Sequence, residues 1–248
     1  MQKTALEHDL QKLVEKALAL GASGAKTVDV ASIRTGAWTR WKCQFGCPNY
    51  GKTLCCPPFV PDYAATQRFL QEFIRGIIIQ YTFPLNGVAV ENFAAADLSM
   101  SNGLLEILLN LEREAFLQNH YKAFALKAGR CRLCKECNLK QCVNPTKARP
   151  SLEACGIDVM ALANDNGYQA EILQAAVPEL KIYGLLLVEY LQTVLFFYSI
   201  NCLWCIMMCL SLTPFCKRVI IKLVRKVRKL RTKLTQRTRM EGFYEKVN

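Results

Sequence analysis

Residues 129–142 read GRCRLCKECNLKQC, and residues 43–58 read CQFGCPNYGKTLCCPP. In neither stretch do apolar residues recur at helical or strand spacing, so an ordinary core cannot order them. From 37 to 61 periodicity is lost while Cys, Pro and Gly crowd in, which reads as a loop organised by a ligand. What recurs is cysteine: Cys131-x2-Cys134-x2-Cys137-x4-Cys142 in one stretch, Cys43-x3-Cys47-x7-Cys55-Cys56 in the other. Cys155 follows thirteen residues after Cys142. Thiolates are soft ligands suited to zinc and to iron–sulfur clusters. Short spacings bring two or three sulfurs around one centre while nearby Gly and Pro let the backbone turn.

The C-x2-C-x2-C run bears on which metal is held. Structural zinc sites use two separated cysteine pairs. Three cysteines at successive x2 spacing open the bacterial ferredoxin run C-x2-C-x2-C-x3-C-P. Here the fourth cysteine comes after four residues and Pro145 comes three after Cys142. Ferredoxin identity therefore does not follow. A [4Fe–4S] cluster is the leading reading and zinc the alternative. In the first stretch Cys55 and Cys56 are adjacent, so their side chains diverge and one ligand is expected from the pair. Cys56 precedes Pro57-Pro58, which favours an extended backbone there, and it is preferred. Cys43, Cys47 and Cys56 make three ligands, with Cys55, Cys155 or a non-protein group as the fourth. A centre with three thiolates and an open position would face a substrate as well as carry electrons.

The chain has 248 residues, 52% hydrophobic and 21% charged, which excludes disorder over most of its length. Histidine is limited to His8 and His120, so chemistry needing several imidazoles is excluded. Thirteen cysteines are too sparse for a small disulfide-stapled domain and too dense for an ordinary cytosolic enzyme. The charge of +12 is uneven. Residues 217–248 carry 12 Lys/Arg against 2 Asp/Glu, whereas the other 216 carry 20 against 18. The basicity belongs to the tail, so a nucleic-acid partner is not expected from the body. The opening MQKTALEHDLQKLVEKALAL is amphipathic and has no continuous apolar run of a secretory signal. The body is expected in the cytoplasm, where reduced thiols favour metal over disulfides.

Helices are expected over 4–20, 61–73, 102–121 and 151–167, the last capped by Ser151 and closed by Gly167. Strands are expected over 25–33, 75–83, 121–129 and 181–189. Their alternation gives an α/β or α+β body with two cysteine-rich metal-binding loops, plus a C-terminal apolar helix. That helix falls in Tyr190–Phe215, 26 residues without a charge, long enough to cross a bilayer. A buried core helix is the alternative. The basic run that follows would meet anionic lipid headgroups. Three regions result: 1–189, a cysteine-rich metal-binding domain; 190–216, a transmembrane or membrane-associated segment; and 217–248, a basic tail.

CPNYGKTLCCPPFVPDY, GRCRLCKEC and ARPSLEACGIDV together resemble a family of uncharacterised prokaryotic cysteine-rich predicted metal-binding proteins, a domain of unknown function, over about residues 5–189. The resemblance implies a cytosolic, often anaerobic setting and cysteine-bound metal, without an established reaction. It carries the ligand role to Cys43, Cys47, Cys56, Cys131, Cys134, Cys137, Cys142 and Cys155, enough for two four-thiolate centres, and leaves out Cys55. The tail lies outside it.

Other residues read more plainly. Arg149 and Glu153 are expected to pair at the entry of the 151–167 helix, with Asp158 of similar standing. Trp38, Trp41 and Tyr50 would shield the first cluster from water. Lys127, Arg130, Arg132 and Lys135 form a solvated face or a docking patch for an acidic redox protein. His8 is expected on the surface, and His120 on the surface or in the core. The functional expectation is an iron–sulfur protein that transfers electrons or activates a substrate at a cluster, with a zinc-stabilised protein-binding module as the alternative.

Overall fold

The computed structural model describes residues 2–85, 93–171 and 178–188. The expected apolar helix within 190–216 and the basic tail 217–248 lie outside them. Among the described residues no helix is long and apolar enough to cross a membrane.

Among the described residues four strands form one sheet: β1 (Gly24–Asp29), β2 (Arg75–Pro84), β3 (Phe124–Leu126) and β4 (Glu179–Val188). Their order is β1-β2-β4-β3, and every neighbouring pair is antiparallel. This is an α+β fold; the α/β alternative would require parallel strands joined by crossover helices. Among the described residues five α-helices accompany the sheet: α1 (Gln2–Ala19), α2 (Ala37–Gly46), α3 (Tyr63–Leu70), α4 (Phe93–Leu117) and α5 (Val159–Asp165).

The central strands β2 and β4 are apolar on both faces because both faces are covered. Ile77 and Ile79 point one way with Leu186 and Val188, against Leu10 and Leu13 of α1 and Leu104, Leu108 and Leu111 of α4. Ile78, Leu185 and Leu187 point the other way, against Leu70 of α3, Leu162 of α5 and the segment Leu152–Ile157. The strand period of two thus divides the protein into a helical side and a side that carries the cysteine loops.

Two expected elements differ. Within 37–61, Ala37–Gly46 is a helix. Its Thr39 is buried against the Gly36 carbonyl, which its hydroxyl bonds at 3.0 Å, while its aromatic residues face outward. The lost apolar period there reflects a helix with exposed aromatics. The expected helix 151–167 is a series of turns over 151–157 followed by α5. Asp158 is the residue that caps it, its carboxylate accepting from the Ala161 N–H at 3.0 Å. Ser151 caps only a turn, accepting from the Ala154 N–H at 3.1 Å. The other expected helices and strands are present with shifted ends; β1 stops at Asp29 and passes into a 3-10 turn, Val30–Ser32.

Candidate metal centres

The residues between β3 and α5 contain no helix or strand. An irregular segment of that length in a compact domain signals function. Within it Cys131, Cys134, Cys137 and Cys142 are half-buried, while Lys135, Glu136, Asn138–Gln141 and Val143 are exposed. The thiols face inward, the charged residues outward. The loop is tied down at its start by Lys127. This side chain is buried, and its ammonium donates to the carbonyls of Ala128 at 2.8 Å, Gly129 at 3.1 Å and Arg130 at 2.7 Å. Lys127 is therefore an internal clamp, a correction to its place on a solvated face. Lys135 is exposed. Burial lowers the Lys127 pKa, against the pull of nearby Cys131, Glu153, Cys55 and Cys56.

Arg149 ties the far end of the loop. It pairs with Glu112 of α4, Nε to Oε2 at 2.9 Å and Nη2 to Oε1, and not with Glu153 as expected. The same Glu112 Oε2 accepts the Ala125 N–H of β3 at 2.7 Å.

The first cysteine stretch is a chain of tight turns. The Gly51 N–H, in a left-handed backbone (φ 71°), closes onto the Pro57 carbonyl at 2.9 Å. Arg40 of α2 then stitches this stretch to the third motif, donating to the carbonyls of Pro61 and Ala154, each at 2.9 Å. The Gly36 N–H reaches the Gly156 carbonyl at 2.8 Å.

Cys55 and Cys56 are both buried, and they face different partners. Cys55 joins the second stretch. With Cys131, Cys134, Cys137 and Cys142 it lines one cavity of about 310 Å³. The Cys55 thiol hydrogen-bonds the Cys131 sulfur. That bond pushes the Cys55 pKa up and brings Cys131 down to about 6, with the Leu133 N–H, Lys127 and Arg130 adding to the stabilisation of the Cys131 thiolate. The Asn144 amide donates to the Cys134 sulfur at 3.2 Å. Cys56 lies near both Cys47 and Cys131. Burial raises its pKa, with Cys47 beside it, and Cys43 is raised by burial and by neighbouring Cys47 and Cys56. Adjacent side chains diverge, as the sequence implied: Cys55 lines the smaller cavity and Cys56 does not.

Cys43 and Cys47 line a larger cavity, about 1180 Å³, together with Trp38, Trp41, Glu153 and Tyr183. Trp38 and Trp41 are 47% and 65% exposed, so they form its rim and do not shield the thiols. Glu153 sits behind Cys43. Its carboxylate accepts from its own N–H, the Ser151 hydroxyl and the Gly129 N–H, and burial raises its pKa. Its Oε2 is buried without a hydrogen-bond partner. Cys155 is buried in the apolar cluster with Leu152, Ile157 and Leu162. Burial pushes its pKa up to about 12. His8 is exposed. His120 is a core residue, its Nε2 3.5 Å from Asp9 of α1.

The nine cysteines of the described residues are all free thiols. Among the described residues, no three His, Cys, Asp or Glu side chains are drawn together as the ligands of one metal ion. Cys55, Cys131, Cys134, Cys137 and Cys142 instead line one volume, and Cys43 and Cys47 the other. The donor set is soft, half-buried and supplied with N–H donors, which suits a thiolate-bound metal group. Sequence reasoning missed Arg40, Glu112, the buried role of Lys127 and the place of Cys55.

A family model described as a predicted metal-binding protein matches residues 26–188. The match includes all nine cysteines and stops before the tail. No curated protein and no solved structure matches the chain.

Proposed function

This chain belongs to the DUF2284 family of predicted metal-binding proteins, and from that premise we propose that it holds two thiolate-bound iron–sulfur clusters and moves electrons between them. The observation that carries the reading is that Cys55, Cys131, Cys134, Cys137 and Cys142 line one cavity while Cys43 and Cys47 line another. Cys131, Cys134, Cys137 and Cys142 would hold one [4Fe–4S] cluster, and Cys55, a fifth thiol at its wall, would be needed to seat it through its hydrogen bond to the Cys131 sulfur. Cys43, Cys47 and Cys56 would hold the other. Cys155, in the apolar core, is left out of this ligand set.

Such a cluster supplies a one-electron carrier whose potential depends on burial, charge and hydrogen bonds to sulfur. The chain's own residues set those terms. Lys127 places a buried cation near Cys131, Cys55 and Cys56, which favours the reduced, more negative state. Asn144 and the Leu133 N–H donate to sulfur and act in the same sense. A single zinc needs four sulfurs at about 2.3 Å. Five thiols spread around one cavity leave room for a larger inorganic core, which supports iron–sulfur over zinc.

The exposed Trp38 and Trp41 beside the larger cavity favour the first centre as the one that meets a substrate or a redox protein. Residues 190–216 and the basic tail would tether the body to an anionic membrane. The test is iron, zinc and acid-labile sulfide per chain, with an absorption spectrum, on full-length protein purified without oxygen. Iron with matching sulfide and a visible band that bleaches on reduction is expected. Zinc without sulfide would refute the electron-transfer reading and leave a metal-stabilised binding module.

A further inference from the structure

We infer that the outer face of the loop 129–147 docks a protein whose surface is rich in Asp and Glu. Charge is concentrated on this face. Residues 129–147 carry five Lys/Arg against one Glu, whereas the rest of residues 1–216 carry 15 Lys/Arg against 17 Asp/Glu. The loop thus holds the positive excess of the body. Lys52 and Lys135 are exposed at the mouth of the smaller cavity, and Lys140 is exposed next to Leu139. None of these three lysines makes an ion pair with a described residue. Arg34, Arg75 and Arg149, by contrast, each meet a carboxylate. Unmatched lysines gathered on one face repel one another and gain nothing within the fold; an anionic partner supplies the missing charge.

The face also has an apolar centre. Leu139 and Val143 line the same cavity and are 42% and 65% exposed. An apolar centre rimmed by charge is the anatomy of a protein interface. Nucleic acid fits it less well, because residues 129–147 contain no aromatic side chain on which a base could stack. A membrane fits it less well too, because the segment has no helix whose apolar side could lie in the headgroup layer. The slight acidic excess on the rest of the body repels an acidic protein and steers it toward this loop.

The docking itself needs no metal. Its consequence rests on the electron-transfer reading above and deepens it. Cys131, Cys134, Cys137 and Cys142 are half-buried in this same loop, so a partner seated on Lys135 and Leu139 stands beside them. On that reading the acidic protein is the redox partner, it exchanges electrons at the smaller cavity, and the larger cavity is left to a substrate.

The test titrates full-length protein, purified without oxygen, with an acidic ferredoxin as the probe. It compares wild type, the pair Lys135→Glu and Lys140→Glu, the single variant Val143→Ser, and a control pair on α1, Lys12→Glu and Lys16→Glu. The control makes an equal change in net charge, and both pairs leave the basic tail intact. The loop pair is expected to weaken binding at least about tenfold at low salt, with most of the difference gone at about 0.5 M salt. Val143→Ser is expected to weaken it about threefold at both salt concentrations. The control pair is expected to stay within about twofold of wild type. No measurable binding of wild type at low salt would overturn the inference. So would equal losses in the loop and control pairs, which would mark attraction to net charge or to the tail alone. A larger loss of binding to vesicles of anionic phospholipid than to the ferredoxin would also overturn it, by placing a membrane on this face. Binding in the expected order without electron exchange, followed by the ferredoxin's visible absorption, would support the docking and refute the electron-transfer reading alone.

Discussion

Replacing Arg149 with Met is expected to cost about 3–5 kcal/mol, the loss that follows when one partner of a buried ion pair is removed. The geometry decides between this figure and the roughly 0–1 kcal/mol of a surface pair. The Arg149 and Glu112 side chains are only 12% and 17% exposed, and two donors of one guanidinium meet both carboxylate oxygens. Without the guanidinium, Glu112 keeps only the Ala125 N–H at 2.7 Å. The carbonyls of Ala148 and Thr146, now bonded at 2.8 and 3.3 Å, also lose their donor. For a chain of this size each kcal/mol moves the melting temperature by roughly 2–4 °C, so a fall of roughly 6–20 °C is expected. The double replacement Glu112→Leu with Arg149→Met should cost less than Arg149→Met alone. It removes the stranded carboxylate and leaves one strand N–H unpaired, worth about 1–3 kcal/mol. Urea midpoints of the four proteins complete the cycle. An Arg149→Met cost below about 1 kcal/mol would refute the reasoning, as would single-variant costs that simply add in the double variant.

Two further outcomes follow from local geometry. The Tyr168 hydroxyl is buried without a partner, and burial pushes its pKa up to about 12. Its folded pKa exceeds the unfolded value of about 10, so its contribution is complete below that value and is lost as pH rises through 12. Tyr168→Phe should remove an alkaline loss of about 2–3 kcal/mol while changing neutral stability by less than about 1; an unchanged alkaline limb in the urea midpoints would argue against it. Gly156 has φ 89°, and an added Cβ would stand 2.6 Å from the Tyr63 Cβ. Gly156→Ala should cost about 2–4 kcal/mol in thermal unfolding, and a cost near zero would mean that α3 moves freely away from the third motif.

Much of the fold was legible because it depends on short-range patterns. The runs Ile77–Ile79 and Leu185–Leu187 are β-branched or apolar, and they sit in the two central strands. The spacing of Leu104, Leu108 and Leu111 marked the helix that covers one sheet face. Strand direction was not legible, because nothing local distinguishes a parallel return from an antiparallel one. Helix α2 was hidden because Trp38, Trp41 and Phe45 lie outside the core and break the period that a buried helix shows. The second cysteine stretch, with Cys55, lines the smaller cavity. The cysteine spacings could not say that Arg149 reaches across 37 residues to Glu112 or that Lys127 turns inward. The adjacency of Cys55 and Cys56 did contain the signal of a fork, since neighbouring side chains diverge.

The division of the cysteines into two centres at Cys55–Cys56 is tested most directly by metal and sulfide per chain in full-length Cys55→Ser, Cys56→Ser and their combinations with Cys131→Ser. The account predicts that Cys55→Ser lowers the second centre and leaves the first. Cys56→Ser should do the reverse. Adding Cys131→Ser to Cys55→Ser should remove little more, whereas adding it to Cys56→Ser should deplete both centres. Wild-type metal content in Cys55→Ser, or the same spectral component lost in Cys55→Ser and Cys56→Ser, would contradict the account.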